Sequence, residues 1–197
     1  MATFVERVPR RFNDVAVTEA GINTKEFLEA ASGVVMLFDE LGSAAFGPVK
    51  SDINGNITKV RAKLESGPAE FDTLEKIVLA EAGTKDRTAT QGLLWLKRGL
   101  EFTALGVSRN LANANEELTV SFTEAYGKTL KQYHNFVVKG VFNLAMKACP
   151  YRKDFYEKLG GDNEQVYADL KVWTDSLQQQ LNQLSVFYAK GAYDKGL

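Results

Sequence analysis

The sequence has almost none of the residues from which proteins build disulfides and metal centres. Its 197 residues include one cysteine, Cys149, and one histidine, His134. A lone cysteine cannot form an internal disulfide, and a lone histidine excludes a site with several histidine ligands. We therefore expect no bound metal and no cofactor, and the lack of a disulfide framework favours a reducing compartment such as the cytoplasm.

The chain also lacks a charge excess, a signal sequence and a membrane span. Its formal net charge is -1, and it contains no helix-turn-helix, zinc or phosphate-loop motif, so we expect no nucleic-acid partner. Residues 1–7 have no apolar signal core, and no run approaches the roughly 18–20 apolar residues that cross a bilayer. These features predict a cytoplasmic protein whose contact with membranes is transient and peripheral.

No long linker rich in proline, glycine or serine divides the chain, and 45% of its residues are hydrophobic. A chain of this size and composition can bury a substantial core as one unit. We expect a single domain over residues 1–197, with residues 1–22 as an N-terminal extension, and a monomer.

Hydrophobic residues recur with a helical period along most of the chain, and sustained strand-like alternation is missing. The expected fold class is therefore all-α. Apolar periodicity and the prolines and glycines at segment ends predict helices near residues 24–41, 48–66, 70–82, 87–112, 119–148 and 163–190.

The second of these segments has an apolar face of five residues at spacings of three or four: Val49, Ile53, Ile57, Val60 and Leu64. Asn54–Gly55 is a hairpin signal inside it, but the unbroken helical period favours a helix. A glycine inside a helix costs about 1 kcal/mol relative to alanine. Its presence suggests that another backbone or a ligand approaches Gly55 closely.

The other side of the same helix carries a polar trio, Asp52, Asn56 and Lys59, at offsets of four and seven residues. Asp52 accepts hydrogen bonds, Lys59 donates them, and the Asn56 amide does both. Such a set matches the hydroxyls of a sugar better than a phosphate. The alternative is an ordinary solvated helix face.

Two further positions are candidates for ligand contact. Trp95 lies three residues before Arg98 in a helical run, and an indole can stack on a sugar ring. His134 can donate to an amide carbonyl as a neutral imidazole. The alternatives are a core tryptophan and a structural histidine.

The order, spacing and flanking residues of these segments resemble the glycolipid transfer proteins. The matching stretches are Phe27–Ala30, Phe38–Ser43, Phe46, Pro48, Asp52–Ile53, Gly55–Lys59, Trp95–Leu100, Tyr133–His134, Ala148, Pro150–Tyr151 and Asp154–Phe155. The resemblance covers about residues 24–193 and is greatest to the fungal heterokaryon-incompatibility members. It implies an all-α, two-layer helical sandwich, the GLTP fold, around a hydrophobic lipid chamber.

The resemblance also implies residue roles. The polar trio would bond the first sugar of the head group, Trp95 would stack under that sugar, and His134 and Asp52 would bond the ceramide amide. Relatives that carry ceramide-1-phosphate tend to have a basic residue where this chain has Asn56, so a neutral sugar is favoured. The ligands implied are glycosphingolipids such as galactosylceramide, glucosylceramide or lactosylceramide.

Matching positions imply a chamber wall, which is a set of eight residues: Phe38, Phe46, Val49, Ile53, Phe102, Leu130, Phe142 and Met146. The chain has 12 phenylalanines, and most of them fall on predicted apolar faces. A flexible methionine suits a wall that repacks around lipid chains. The alternative is a solid core rich in phenylalanine.

Residues 126–158 contain seven basic and two acidic residues. With Phe136, Lys139 and Tyr151, this region is a candidate for membrane contact, although an ordinary solvated basic face is the alternative. Family members often place a tryptophan where this chain has Phe136, so the contact is weaker or shifted. The resemblance also implies that Tyr193 closes the site from the C-terminal end.

We therefore expect a protein that carries a glycosphingolipid between membranes without vesicles. One alternative is a glycolipid sensor or scaffold that signals to a protein partner, and another is a ceramide-1-phosphate carrier. An enzyme using Asp52 and His134 is not expected, because the sequence contains no activated-serine elbow and no metal-ligand spacing. The number of sugars, the acyl-chain length and any protein partner are not readable from the residues.

Overall fold

The computed structural model describes residues 2–197, and almost all of their regular structure is helical. The helices are α1 Phe4–Arg7, α2 Thr24–Glu40, α3 Gly47–Ser66, α4 Leu74–Glu81, α5 Thr88–Ala112, α6 Leu118–Lys128, α7 Phe136–Lys147, α8 Arg152–Lys158 and α9 Glu164–Gly191. Two short strands, β1 Val17–Thr18 and β2 Gly21–Ile22, pair as an antiparallel hairpin before α2. The prediction of an all-α protein is confirmed.

Short polar side chains fix where several helices begin. Asn23, Thr73 and Asn163 each accept a hydrogen bond from a backbone N–H in the first turn of α2, α4 and α9. These bonds satisfy donors that have no partner within the helix. The predicted start of the third helix at residue 70 was therefore early, because the Thr73 cap sets the first residue of α4 at Leu74.

Helix α5 has no side-chain cap of its own and receives one from α4. The buried Glu81 carboxylate accepts hydrogen bonds from the backbone N–H of Thr90 at 2.7 Å and of Ala89 at 3.3 Å. A carboxylate at a helix N-terminus also interacts favourably with the helix dipole. The start of the helix that carries Trp95 is therefore anchored to its neighbour.

Helix α5 lies at the centre of the molecule, where α3, α6 and α9 all pack on it. The apolar residues that face inward from these helices form one continuous core. Burial of such residues is the main stabilising contribution to the fold.

The N-terminal residues belong to the same core. The rings of Phe4 and Phe12 lie 5.8 and 5.2 Å from the indole of Trp173 on α9, and all three side chains are fully buried. The backbone N–H of Phe4 also donates to the carbonyl of Leu159 at 2.7 Å. Residues 4–12 thus close one end of the helical core.

The prediction of one helix over residues 119–148 is wrong. Helix α6 ends at Lys128, and Thr129 leaves the helical region with φ -119° and ψ -87°. Its hydroxyl donates to the carbonyl of Ala125 at 2.7 Å, which competes with continued helical bonding. A 3-10 turn over Leu130–Tyr133 follows, and Asn135 caps the new helix α7.

This break gives His134 an extended backbone conformation, with φ -97° and ψ 137°. The imidazole therefore projects from a connection between two helices rather than from a helix face. The short helix α8 after Pro150 was also missed, because two turns are too few to establish a periodic pattern.

None of the helices described is both long and apolar enough to cross a membrane.

Candidate functional site

The polar trio lies on α3 and is connected by hydrogen bonds. Asn56 Nδ2 donates to Asp52 Oδ2 at 3.4 Å, and Lys59 Nζ donates to Asn56 Oδ1 at 3.5 Å. The spacing of three and four residues places these side chains on adjacent turns of one face. Together with Pro48, Ser51 and Gly55 they line an open cleft of about 420 Å³.

The opposite face of α3 is in the core, as its apolar spacing predicts. Val49, Ile53, Ile57 and Val60 are all buried, and Leu64 is half-buried. This packing fixes the rotation of α3 about its axis. The polar trio is consequently held toward the cleft, with Asn56 itself only 3% exposed.

The electrostatics of Asp52 reflect its place in this cleft. Its carboxylate reaches solvent, but the surrounding protein partly desolvates it and raises its pKa, while the Lys59 charge and the Asn56 hydrogen bond act in the opposite direction. Desolvation disfavours the ionised form of a carboxylic acid. The carboxylate is thus an acceptor whose water shell is already incomplete.

No other backbone within residues 2–197 approaches Gly55 closely, so that half of the hypothesis is wrong, and a ligand at Gly55 stays a prediction. A Cβ atom built on Gly55 has no neighbour within 4 Å, and the position opens onto the cleft. The close approach occurs at Gly92 of α5, where a Cβ would lie 2.9 Å from Lys59 Cβ and 3.5 Å from the Asn56 carbonyl oxygen.

Gly92 was missed from the sequence, although a signal for it exists. Gly92, Gly99 and Gly106 recur every seven residues along α5. A Cβ on Gly99 would lie 3.7 Å from Ile53 on α3, and one on Gly106 would lie 2.7 Å from the ring of Phe122 on α6. This glycine row lets α3 and α6 pack closely on α5.

Trp95 lies one turn after Gly92 and is half-buried at the surface of α5 rather than in the core. Its indole is nearly parallel to the His134 ring, with centroids 6.1 Å apart and an interplanar angle of 11°. The guanidinium carbon of Arg98 lies 4.7 Å from the Trp95 centroid and 3.7 Å from that of Tyr133. These cation–π contacts hold the indole in place.

His134 contacts the same cluster from the connection between α6 and α7. Its Nδ1 is 3.1 Å from the hydroxyl of Tyr126, and its ring centroid is 4.7 Å from that of Phe142. Partial burial and the nearby Lys139 charge lower the pKa of His134. The neutral imidazole is therefore favoured at pH 7, and its one N–H can donate to an amide carbonyl.

The structure places the predicted chamber wall next to this polar site. All eight of its residues are buried, at 7% exposure or less. Phe102 is central, with ring centroids 6.4 Å from Phe38 and 5.9 Å from Phe142, and Phe38 lies 5.6 Å from Phe46. The four phenylalanines of the wall thus form a continuous aromatic cluster that leads inward from His134.

An exposed apolar patch flanks the same end of the molecule. It consists of Phe136, Val137, Leu144 and Tyr151, which are 85%, 57%, 67% and 74% exposed. Val137 and Leu144 were not predicted, although their spacing from Phe136 places them on the outward side of α7. Lys139, in the same helix, is half-buried.

Tyr193 follows the end of α9 and packs on Phe187, with ring centroids 5.0 Å apart. Its carbonyl accepts a hydrogen bond from the guanidinium of Arg87, which also donates to the Lys195 carbonyl at 3.0 Å. Arg87 directly precedes α5. The C-terminus is therefore bound to the beginning of the helix that carries Gly92 and Trp95. No hydrogen bond joins Tyr193 to the polar trio within residues 2–197.

The site contains neither a recognisable metal-ligand group nor a reactive thiol within the described part of the chain. Residues 2–197 contain no group of three histidine, cysteine, aspartate or glutamate side chains that is suited to a metal ion. Burial raises the pKa of the Cys149 thiol to about 12, so this cysteine is not a nucleophile at neutral pH. What the site combines is a hydrogen-bonding cleft, an aromatic cluster and an apolar interior.

Comparison with known proteins agrees with this combination. A family described as glycolipid transfer protein (GLTP) matches residues 22–161. A curated glycolipid transfer protein of Aureobasidium melanogenum is 48% identical over 187 residues, which are 95% of this chain and 93% of that protein.

Solved structures show the same architecture. The crystal structure of HET-C2, a fungal glycolipid transfer protein, has a TM-score of 0.90 and 46% identity, and the match covers 95% of this chain and 97% of HET-C2. A structure described as showing how FAPP2 selects simple glycosphingolipids using the GLTP fold has a TM-score of 0.87 and 35% identity, with 98% and 97% coverage. The predicted GLTP fold, a two-layer helical sandwich, is confirmed.

Mouse ceramide-1-phosphate transfer protein has a TM-score of 0.84 but only 22% identity, over 98% of each chain. At that identity the likeness concerns the fold alone.

Proposed function

The chain belongs to the glycolipid transfer protein family, and from this membership we propose that it binds a glycosphingolipid, a sugar head group on ceramide, and moves it between membranes. The observation that carries the proposal is the adjacency of the polar cleft on α3, the Trp95–His134 pair and the buried aromatic cluster. A glycolipid has a polar head, an amide and apolar chains in the same order. The family transfers lipids, so the chain is not an enzyme.

In this proposal the polar trio holds the first sugar. Sugar hydroxyls both donate and accept hydrogen bonds, and the trio supplies a carboxylate, an amide and an ammonium on one helix face. Hydrogen bonds to charged groups contribute about 1.5–3 kcal/mol each. Trp95 lies on α5, one turn after Gly92, and supplies the ring against which the sugar stacks.

His134 and Asp52 then bond the ceramide amide. The amide carbonyl accepts from the neutral imidazole, and the amide N–H donates to the carboxylate. A carboxylate already short of water loses less hydration when this amide binds. The amide is thus held at the boundary between the polar cleft and the apolar interior.

The lipid chains enter the chamber wall. Moving a chain of about 16 carbons into water costs on the order of 12 kcal/mol, at about 0.8 kcal/mol per CH2. A dry apolar pocket removes most of that cost, which is why a carrier accelerates exchange between membranes. Because the eight wall residues are all buried in the core, they must move apart to admit the chains, and Met146 suits such repacking.

The exposed apolar patch docks the protein on the membrane. Single exposed apolar residues are common, but three of these four lie on one short helix, α7, and clustered exposed apolar residues mark lipid or protein contact surfaces. Residues 126–158 add five more basic than acidic residues, seven against two, which favours anionic lipid surfaces. The patch is adjacent to the His134 connection, so docking would bring the entrance of the site to the bilayer.

Selection against ceramide-1-phosphate follows from Asn56. A phosphate requires cationic partners, and the cleft contains one ammonium, Lys59, beside a neutral amide and a carboxylate. Repulsion between Asp52 and a phosphate would further disfavour that lipid. The identity of the sugar remains a prediction that spans galactosylceramide, glucosylceramide and lactosylceramide.

We also propose that the chain forms a single domain, is a monomer and is located in the cytoplasm. The packing of Phe4 and Phe12 on Trp173 supports the inclusion of residues 1–22 in the domain.

The test is transfer of a fluorescent galactosylceramide between donor and acceptor vesicles, with fluorescent phosphatidylcholine and ceramide-1-phosphate in parallel. We expect protein-dependent transfer of the galactosylceramide alone. Transfer of ceramide-1-phosphate would contradict the argument from Asn56. Tight binding of galactosylceramide without transfer would favour a sensor or scaffold instead of a carrier.

A further inference from the structure

Tyr126 is the hydrogen-bond partner of the His134 side chain within the described residues. The hydroxyl lies 3.1 Å from His134 Nδ1, and the Tyr126 side chain is 2% exposed. The two residues come from different elements, since Tyr126 belongs to α6 and His134 to the connection that follows it. Their contact exists because the chain turns back at Thr129.

The phenol ring has little freedom to move. It is stacked on Phe142, with centroids 4.9 Å apart and an interplanar angle of 13°, and it meets the edge of Phe102 at 6.3 Å. Both neighbours are buried members of the chamber wall. The ring contacts thus fix the position of the hydroxyl next to His134.

The proton balance of this contact favours one tautomer. The hydroxyl of a buried tyrosine needs an acceptor, and an unsatisfied buried donor costs about 1–3 kcal/mol. If Nδ1 carried the imidazole proton, the Tyr126 proton would have no acceptor among residues 2–197. If the hydroxyl donates to Nδ1, both groups are satisfied and the imidazole proton resides on Nε2.

The groups around His134 are compatible with a neutral ring. Partial burial lowers the pKa of His134, and the Lys139 ammonium of α7 lowers it further. Burial raises the pKa of the Tyr126 phenol, so this hydroxyl keeps its proton at neutral pH. Trp95, which stacks on the imidazole, carries no titratable group.

We propose that Tyr126 is a positioning residue that holds His134 as the Nε2–H tautomer and so presents one N–H donor to the carbonyl of an amide-linked lipid. The inference rests on the proposed function, because it gives the lipid amide its donor. Tyr126 itself does not touch the ligand. Without its hydroxyl, the imidazole would divide between two tautomers and two ring orientations, and only one combination can donate to the carbonyl.

Tyr126→Phe tests the proposal, since it keeps the ring stack and removes only the hydroxyl. The chain has a single histidine, so long-range ¹H–¹⁵N correlation spectra of the lipid-free protein report the His134 tautomer without assignment. We expect Nε2–H in the wild type and a mixture in the variant. We also expect His134 to titrate at a higher pH in the variant, because the donor that stabilises the neutral ring is lost.

Tyr156→Phe is the matched control. Tyr156 is a buried tyrosine whose hydroxyl donates to Asn110 Oδ1 at 3.0 Å, away from His134. Both variants lose one buried hydrogen bond, so similar losses of stability are expected. We expect only Tyr126→Phe to change the histidine spectrum and to reduce galactosylceramide transfer, by about tenfold, which corresponds to about 1.4 kcal/mol.

An Nδ1–H tautomer in the wild type would overturn the proposal, and so would an unchanged tautomer and transfer rate in Tyr126→Phe. The spectra are recorded without lipid. A wild-type protein that showed the Nε2–H tautomer but transferred no glycolipid would therefore contradict the proposed function and leave the tautomer assignment in place.

Discussion

Gly92 lies against Lys59 so closely that a methyl group on Gly92 would be 2.9 Å from Lys59 Cβ and 3.2 Å from its Cδ. The contact is the point where α5 passes beneath the polar cleft of α3. Because glycine has no side chain, the two helices approach there, and the Lys59 stem lies on the α5 surface. The position of the proposed head-group site thus depends on a residue that has no functional group.

Gly92→Ala should displace Lys59 and weaken glycolipid binding. Overpacking of a close contact costs about 1–3 kcal/mol, whereas alanine regains about 1 kcal/mol of helix propensity. We therefore expect a small change in the melting temperature but about a tenfold loss of galactosylceramide affinity. Gly99→Ala is the control, because its Cβ would meet Ile53 at 3.7 Å, an ordinary contact distance. Equal affinities for both variants would contradict this role of Gly92.

Asp52→Asn should reduce glycolipid transfer by at least about tenfold while leaving the fold intact. The substitution preserves the size of the side chain but removes its charge and one acceptor oxygen. Loss of a charged hydrogen bond of about 1.5–3 kcal/mol lowers affinity by at least about tenfold. Because the surrounding protein disfavours the charge on Asp52, the melting temperature at pH 7 should stay the same or rise. Normal transfer by this variant would show that the polar trio is wrongly assigned.

Acidification should produce the same effect in the wild type. The pKa of Asp52 is raised by desolvation, so binding should begin to weaken at a higher pH than it would for an ordinary aspartate. Acidification has the opposite effect on the folding stability. The folded protein binds the Asp52 proton more tightly than the unfolded chain does. The resulting contribution to the free energy of unfolding is present below the pKa of Asp52 in the unfolded chain, and it is lost as the pH rises through the pKa of Asp52 in the folded protein. Equilibrium binding of a short-chain galactosylceramide across a pH series measures the first effect.

Phe136→Ala should reduce transfer by weakening membrane docking. Burying a phenylalanine contributes about 1.5–3 kcal/mol, so sedimentation with anionic vesicles should fall by about tenfold. Binding of a short-chain glycolipid in solution should be unchanged, because Phe136 is 85% exposed. Phe136→Trp should strengthen the vesicle interaction, since an indole suits the interface. Val186→Ala, which removes a 69% exposed apolar residue of α9, should affect neither property.

Deletion of residues 193–197 should loosen the start of α5. The deletion removes the two carbonyls, of Tyr193 and Lys195, that accept from Arg87. We expect faster hydrogen exchange in the first turns of α5 and a severalfold loss of galactosylceramide affinity. Unchanged affinity would mean that Tyr193 has no part in closing the site. Lys195→Ala, which keeps the backbone carbonyl, is the matched control.

Much of the fold was predictable because its information is local. The apolar spacing on α3 identified its buried face, and the residues at offsets of three and four necessarily share the other face. The break at Thr129 was not predictable from spacing, because apolar residues continue with a helical period across it. There the Thr129 hydroxyl and the Asn135 cap decide the outcome.

The sequence by itself therefore determined the helical class, the composition of the polar trio and the family resemblance, since each depends on residues close together in the chain or on a pattern of motifs. The tertiary structure decided which groups meet. Gly92 touches Lys59, Tyr126 bonds His134, and the C-terminus holds Arg87. Each of these contacts depends on how separate elements pack. The seven-residue spacing of the glycines marks α5 as a closely packed helix, but it does not identify the residues that meet it.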